Sequence, residues 1–291
     1  MNKIQSVNPL VYIILVNYKG FEDTVECVKS LDNINYDNYK IIIVENSSGD
    51  EEKLKNSAFL NSRATIMYSD MNGGFSAGNN IGINKAVEES AEYVLLLNND
   101  TVVDRELLNE LVSTAQNNPK AGIITGDIYY FSQKERLWYS AGSYDRAKGQ
   151  TIMVNETNSP CEVSFVCGCL MLIRAEVIKN IGVLSDDFFL YSEDTEYGCR
   201  VLKAGYTLMW NRKAIIWHKI SVSTGENSPF QQYYQVRNNL YMTRLYGTRK
   251  LYAYMYRTYQ CLKSVIKKEL SYKAVWRAYK DFLLNRMGKR E

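Results

Sequence analysis

A chain of 291 residues can bury a full core as one large domain, or as one domain with an appendage. Its composition, 46% hydrophobic and 23% charged, excludes a disordered or fibrous protein. The net charge of +3 hides a split: residues 1–229 carry 21 Lys and Arg against 29 Asp and Glu, while residues 230–291 carry 14 against 3 and hold 10 of the 23 tyrosines.

An acidic body with a basic, Tyr-rich end is the pattern of an enzyme that rests against an anionic surface. No stretch approaches the roughly 20 apolar residues of a membrane span. The N-terminal MNKIQSVNP lacks an apolar signal core, so a cytoplasmic protein is expected, peripheral on the inner face of the membrane. Six scattered cysteines form no scaffold. Cys167-Gly-Cys169 reads as two reduced thiols on opposite faces of one strand, because no second pair completes a tetrahedral metal site.

The first half alternates strand and helix. LVYIILV (10–16) is a near-continuous apolar strand, followed by a helix near 21–33 with Val25, Val28 and Leu31 on one stripe. KIIIVEN (40–46) and ATIMYS (64–69) are further strands. NGGFSAGNN (72–80) is a glycine loop that must approach something closely, and it opens a helix over 76–90 with Ala77, Ile81 and Val87 inward. EYVLLLNND (92–100) is a fourth strand, and 104–116 an amphipathic helix. This order predicts a parallel sheet covered on both faces.

The second half is less regular. Strands are expected at 121–131 and 163–174, with a polar stretch holding few periodic signals at 132–160. The FFLY run (188–191) is expected to end like a strand at Glu193-Asp194, ahead of a helix to 202–206, and 207–218 forms the last strands. From about 230 the pattern is helical and basic. Leu251, Met255, Tyr259, Leu262 and Ile266 recur on one stripe, with Arg257, Lys263, Lys267 and Lys268 away from it. Such a helix either lies in a membrane interface or packs its stripe as core.

Ligands of a parallel sheet bind outside the carboxyl ends of its strands. Polar groups stand there at Asn17-Tyr18, Glu45-Asn46 and Asn98-Asn99-Asp100. Asp100, ending a buried run, suits a divalent ion that neutralises a diphosphate. The bland alternative is a turn or helix cap, a task that Thr101 and Asp104 could share. His218, the only histidine, follows the apolar AIIW and is a reasonable second metal ligand for Mn2+ or Mg2+. Glu193-Asp194 opens a helix, where acids are favoured as caps. One of the two could instead serve as general base on an acceptor hydroxyl.

At this point NYKGFED (17–23), VENSSGD (44–50), NGGFSAGNNIGI (72–83), LLLNNDT (95–101), GCLMLIR (168–174) and FFLYSEDTEYGCRVLKAGY (188–206) resemble the family-two inverting glycosyltransferases, in their bacterial rhamnosyl- and galactosyltransferase-like branch. The likeness runs in unbroken order over roughly 9–245. It implies a GT-A fold: a Rossmann-like, mostly parallel central sheet flanked by helices. Residues 1–229 would form the catalytic domain, with a donor half at about 9–118 and an acceptor half at about 119–229. Residues 230–291 would be a basic helical extension.

The resemblance also implies a nucleotide-diphosphate sugar donor, a divalent metal and inversion at the anomeric carbon. By it Asp100 matches the metal acid of a degenerate DXD motif whose first Asp is Asn98, and His218 completes the coordination. Asp194 matches the catalytic base, and Glu193 its acceptor-side neighbour. Val16, Asn17 and Tyr18 match the segment around base and ribose. Asn46, Asn72, Gly74, Phe75, Gly78, Asn79 and Asn99 fall in the donor-binding segments. Glu45 departs from the usual Asp, which leaves the identity of the base open.

The implied partners are a nucleotide sugar, a glycan or lipid-linked glycan acceptor and an anionic membrane surface, with homo-oligomerisation left open. A sugar nucleotidyltransferase would carry a Gly-, Arg- and Lys-rich run where NYKGFED stands, and a dehydrogenase would need GxGxxG there. A non-catalytic nucleotide- or glycan-binding module would have no use for Asp194. The acidic body and missing motifs argue against nucleic acid.

Overall fold

The apolar runs of the first half become one side of a ten-stranded sheet in the computed structural model, which describes residues 8–153, 158–219 and 228–290. The residues before Asn8, which carry most of the leader expectation, lie outside the described residues. Strands β1 (Val11–Asn17), β2 (Tyr39–Glu45), β3 (Ala64–Tyr68) and β4 (Tyr93–Leu97) pair in parallel in the order β3-β2-β1-β4. Ile13, Ile14, Leu15, Leu95 and Leu96 are wholly buried, as expected of strands covered on both faces. Helices α1 (Phe21–Leu31), α2 (Glu51–Asn56), α3 (Ala58–Asn61), α4 (Gly74–Glu88) and α5 (Leu107–Asn117) make the crossovers.

Helix α4 packs Ile81 and Val87 against the core, but its most buried face is a different one. Ala77, Ile81 and Val87 are half-buried at its flanks, and the buried face carries Gly78, Gly82, Ile83 and Ala86. The cause is a close approach to β1. A Cβ on Gly78 would lie 2.9 Å from Val16 Cγ1, and one on Gly82 only 2.5 Å from Ile14 Cγ2. Missing side chains, rather than apolar ones, define this contact.

Beyond β4 the sheet is mixed. A short β5 (Thr101–Val103) follows, then β6 (Ala121–Tyr130), β7 (Gln133–Tyr139) and the hairpin β8 (Gly142–Asp145) with β9 (Gln150–Met153). After β10 (Cys161–Val163) come β11 (Leu170–Arg174), α6 (Ala175–Ile181), α7 (Glu193–Lys203) and β12 (Thr207–His218). The sheet continues from β4 through β11, β6 and β12 to β10, with β11 antiparallel to both neighbours.

Three expectations change here. The polar stretch 132–160 contains three strands. The strand expected over 163–174 is shorter: Cys167 and Cys169 precede β11, so they are not paired residues of one strand. Residues 188–192 form no strand but a loop in which Tyr191 and Ser192 adopt left-handed backbone. All six cysteines are free, and burial pushes the Cys27 and Cys167 thiols up to about 12, so both stay protonated.

Three helices follow: α8 (Pro229–Tyr246), α9 (Lys250–Ile266) and α10 (Tyr272–Leu283). Ser228 caps α8 by accepting from the Gln231 amide, with Pro229 at the first helical position. Tyr233, Tyr234, Val236 and Leu240 of α8 pack with Phe189 and with Ala274, Ala278 and Phe282 of α10. The stripe on α9 is not core: Leu251, Met255, Tyr259, Leu262 and Ile266 are 57–81% exposed. Among the described residues no helix is long and apolar enough to cross a membrane.

Candidate functional site

A cleft of about 930 Å³ opens at the carboxyl ends of β1, β2 and β4, where a parallel sheet receives its ligands. Val16, Tyr18, Asn46, Asn72, Gly74, Phe75, Asn79, Asn98, Asn99 and Asp100 line it, with Lys19, Phe189, Leu190, Lys219 and Phe230. Asn46 organises the glycine loop. Its side-chain amide donates to the Gly74 carbonyl at 3.0 Å, and its Oδ1 accepts from the Gly73 amide at 3.2 Å. Gly74 has φ +80°, and a Cβ there would fall 1.9 Å from the Phe189 carbonyl oxygen. Only glycine permits that approach. The Phe75 amide donates to the same oxygen at 2.9 Å, which locks the donor loop to the segment ahead of Glu193-Asp194.

Three residues of the expected donor set do not reach the cleft. Asn17 is fully buried; its side-chain amide donates to Glu45 and Asp50, and its Oδ1 accepts from Thr24 at 2.9 Å. Glu45 is also fully buried, and it accepts from the Ser48 amide at 2.6 Å and from the Ser48 hydroxyl. The Glu45 carboxylate is thus held within its own loop, 45–50. Gly78 faces Val16 across the α4–β1 contact.

Asp100 and His218 meet. Residues 101–103 pair antiparallel with the end of β12, His218 opposite Thr101, and His218 also lies beside Tyr130 of β6. His218 Nε2 is 3.0 Å from Asp100 Oδ1 and 3.4 Å from the Asn98 amide nitrogen, and both Asp100 and His218 are buried. Two adjacent positions of an octahedron with roughly 2.1 Å bonds are about 3.0 Å apart. A hard carboxylate oxygen beside an imidazole suits Mn2+. Among the described residues no group of three or more His, Cys, Asp or Glu side chains could hold an ion. A cation here would need oxygens from a ligand as well. Trp138 packs its ring against His218 at 4.9 Å, edge to face, and Lys219 reaches Asp23 and Glu26 at 2.6 Å each.

Asp194 and Glu193 stand where α7 begins. Asp194 Oδ2 accepts from the Gly168 amide at 3.0 Å, and Oδ1 accepts from the Thr195 amide at 2.6 Å and the Thr195 hydroxyl at 3.1 Å. Burial raises the Asp194 pKa, and these donors oppose the shift. Glu193 is 6% exposed and its Oε2 has no hydrogen-bond partner; burial and the adjacent Asp194 push it well above the usual carboxylate range. Of the two, Glu193 is pushed further toward the neutral acid. Gly168 joins Asp194 to the cleft, since a Cβ there would lie 3.3 Å from Phe75 and 3.4 Å from Asp194 Cβ. One residue on, the Cys169 carbonyl accepts from the Asn98 amide. Gly168 and Cys169 thus link the start of α7 to the end of β4, while His218, Glu193 and Asp194 stand behind the residues that line the cleft.

Sequence reasoning missed Trp138, Lys19, Lys219, Phe189 and Phe230. Trp138 sits in the polar stretch with few periodic signals. The FFLY motif and the position next to His218 were available signals for Phe189 and Lys219.

Residues 12–182 match the model of the family described as Glycosyl transferase family 2. The low-salt glycan biosynthesis hexosyltransferase Agl10 of Haloferax volcanii is 26% identical over 87% of this chain and 81% of its own length. The dTDP-rhamnosyl transferase RfbF of Shigella flexneri is 21% identical over 82% and 81%, and the rhamnosyltransferase WbbL of Escherichia coli 26% over 76% and 86%. Among solved structures, GalNAc-T7 with UDP, GalNAc and Mn2+ superposes with a TM-score of 0.66 at 16% identity, over 80% of this chain and 48% of that one. The fold is therefore that of the GT-A glycosyltransferases, and the chain belongs to glycosyl transferase family 2.

Proposed function

We propose that the protein is a metal-dependent inverting glycosyltransferase that moves a hexosyl or rhamnosyl group from a nucleoside-diphosphate sugar to a glycan hydroxyl, in the assembly of a bacterial surface polysaccharide such as capsule or O-antigen. The observation that carries this reading is the meeting of Asp100, which lines the cleft, with His218, and the bond of Asp194 to Gly168 supports it. The names of RfbF and WbbL support a rhamnosyl group.

Asp100 and His218 would hold the ion, whose chemistry there would be that of a Lewis acid for the diphosphate. The glycine loop and Asn46 shape the donor side of the cleft. Asp194 takes the proton of the acceptor hydroxyl while that oxygen bonds to the anomeric carbon and the carbon–phosphate oxygen bond breaks. Attack opposite the leaving group inverts the centre, and no enzyme nucleophile is needed. A positioned base contributes typically 10²–10⁴-fold.

The acceptor side favours a lipid-linked glycan. The exposed apolar stripe of α9 carries Tyr252, Lys263 and Lys267 on its margin, and α10 exposes Tyr272 and Trp276 beside Lys273 and Lys280. Aromatic and apolar groups edged with lysines complement the headgroup layer of an anionic bilayer. Docking there would keep the enzyme at the cytoplasmic face, next to a carrier-borne substrate.

The test is release of nucleoside diphosphate from a panel of UDP-, dTDP- and GDP-sugars with Mn2+, Mg2+ or EDTA. One donor should turn over, and EDTA should abolish turnover. A protein that binds a nucleotide sugar but never cleaves it, with any acceptor glycan offered, is a binding module and refutes the reading.

A further inference from the structure

The Glu193-Asp194 pair is delivered by a loop that has no regular structure of its own, and the groups that hold this loop come from α8 and the end of the chain. We propose that Asn238 is a positioning residue for the base, and that Arg237 and residues 286–290 hold Asn238 in place. The proposal rests on the reading of Asp194 as the base.

Asn238 is fully buried, 44 residues beyond Asp194 in sequence. Its amide nitrogen donates to the Leu190 carbonyl at 2.9 Å and to the Tyr191 carbonyl at 2.7 Å. Those carbonyls belong to the strained part of the loop, where Tyr191 and Ser192 have φ of +68° and +71°. Non-glycine residues hold such backbone only where the surroundings over-determine it. Ser192 is the N-cap of α7 but makes no side-chain cap, so the entry to the helix is fixed from outside.

The orientation of Asn238 is fixed in turn. Its Oδ1 accepts from Arg237 Nε at 3.0 Å, which leaves both amide hydrogens for the two loop carbonyls. Arg237 is 1% exposed. Its Nη1 donates to the Gly288 carbonyl at 2.9 Å, to the Arg286 carbonyl at 3.3 Å and to the Tyr233 hydroxyl at 3.2 Å. The Gly288 amide then donates to the Asp187 carbonyl at 2.7 Å, just ahead of the same loop. The Tyr233 hydroxyl donates to buried Asp281, which pairs with Arg290 at 3.1 Å. The bonds close a ring: loop 187–192, Asn238, Arg237, the chain end, and back to the loop. A role of this kind acts on the placement of Asp194 and leaves Asp100 and His218 untouched.

The experiment compares wild type with Asn238→Ala and with Arg237→Lys, which keeps the charge but loses the fork. Three quantities are read per folded molecule: turnover of the fastest nucleotide sugar of the panel, affinity for the matching nucleoside diphosphate with Mn2+, and amide hydrogen exchange. Both variants should lose about tenfold or more in turnover and clearly less in nucleoside diphosphate affinity, which Leu190 also touches, because misplacing a reacting group harms the chemical step most. Amides of residues 190–196 should exchange at least about tenfold faster, and those of β1 and β4 should not change. A folding defect alone would reduce the folded fraction and leave these per-molecule values as in wild type, which overturns the proposal. So does unchanged exchange at 190–196. An active Asp194→Asn would overturn the base reading; an inactive Asp194→Asn alongside a fully active Asn238→Ala would overturn only the positioning role.

Discussion

Burial raises the pKa of both adjacent acids at 193 and 194, but the fold supplies them with different donors. Asp194 has three donors that oppose its shift and Glu193 Oε2 has none, so Glu193 is driven further toward the neutral acid. Asp194→Asn should leave nucleoside diphosphate binding intact and cut turnover by about 10²-fold or more; calorimetry and product release on one preparation check both. Because burial raises the Asp194 pKa, turnover should fall with decreasing pH at a higher value than an ordinary aspartate would give. Glu193 makes a separate prediction. Its pKa is raised in the folded state, so the folded protein carries no penalty below the unfolded pKa and loses stability as pH rises toward the folded one. Glu193→Gln should raise the melting temperature at neutral pH, and the gain should vanish in acid.

The parallel half was legible in the sequence at the level of elements, because strands buried on both faces write themselves as unbroken apolar runs, as IIIV at 41–44 does. Elements with one wet face or with three residues were not. β7 reads QKERLWY and is exposed over most of its length, so it gives no alternation to detect, and Trp138 was lost with it. β5 is three residues long, yet its pairing with β12 carries His218 to Asp100. The motifs mark the strand ends that line the cleft, but the internal partners of Asn17 and Glu45 have no local signature in the sequence. The same limit applied to α4, where periodicity counts apolar side chains and the contact is made by glycines. Gly82→Ala tests that contact. Alanine favours a helix by about 1 kcal/mol over glycine, but overpacking against Ile14 costs about 1–3 kcal/mol, so the variant should be less stable in urea unfolding.

At the scale of the whole molecule, charge and exposed apolar surface coincide. The basic end of the chain carries the exposed α9 stripe, and each large apolar side chain moved from water into lipid contributes about 1.5–3 kcal/mol. Replacing Leu251, Met255, Leu262 and Ile266 by Ser should abolish sedimentation with vesicles containing phosphatidylglycerol and leave turnover of a soluble donor unchanged; undiminished sedimentation would refute the docking face. Wild-type binding should weaken as salt rises, since the lysines act through a screened field. The ladder between β5 and β12 has a further consequence. Side chains alternate along a strand, so sliding His218 by a single place would turn its ring to the opposite face and leave Asp100 alone. The three-residue ladder of β5 is therefore what sets which face of β12 looks toward the end of β4, and the approach of the imidazole to the carboxylate exists in this frame alone.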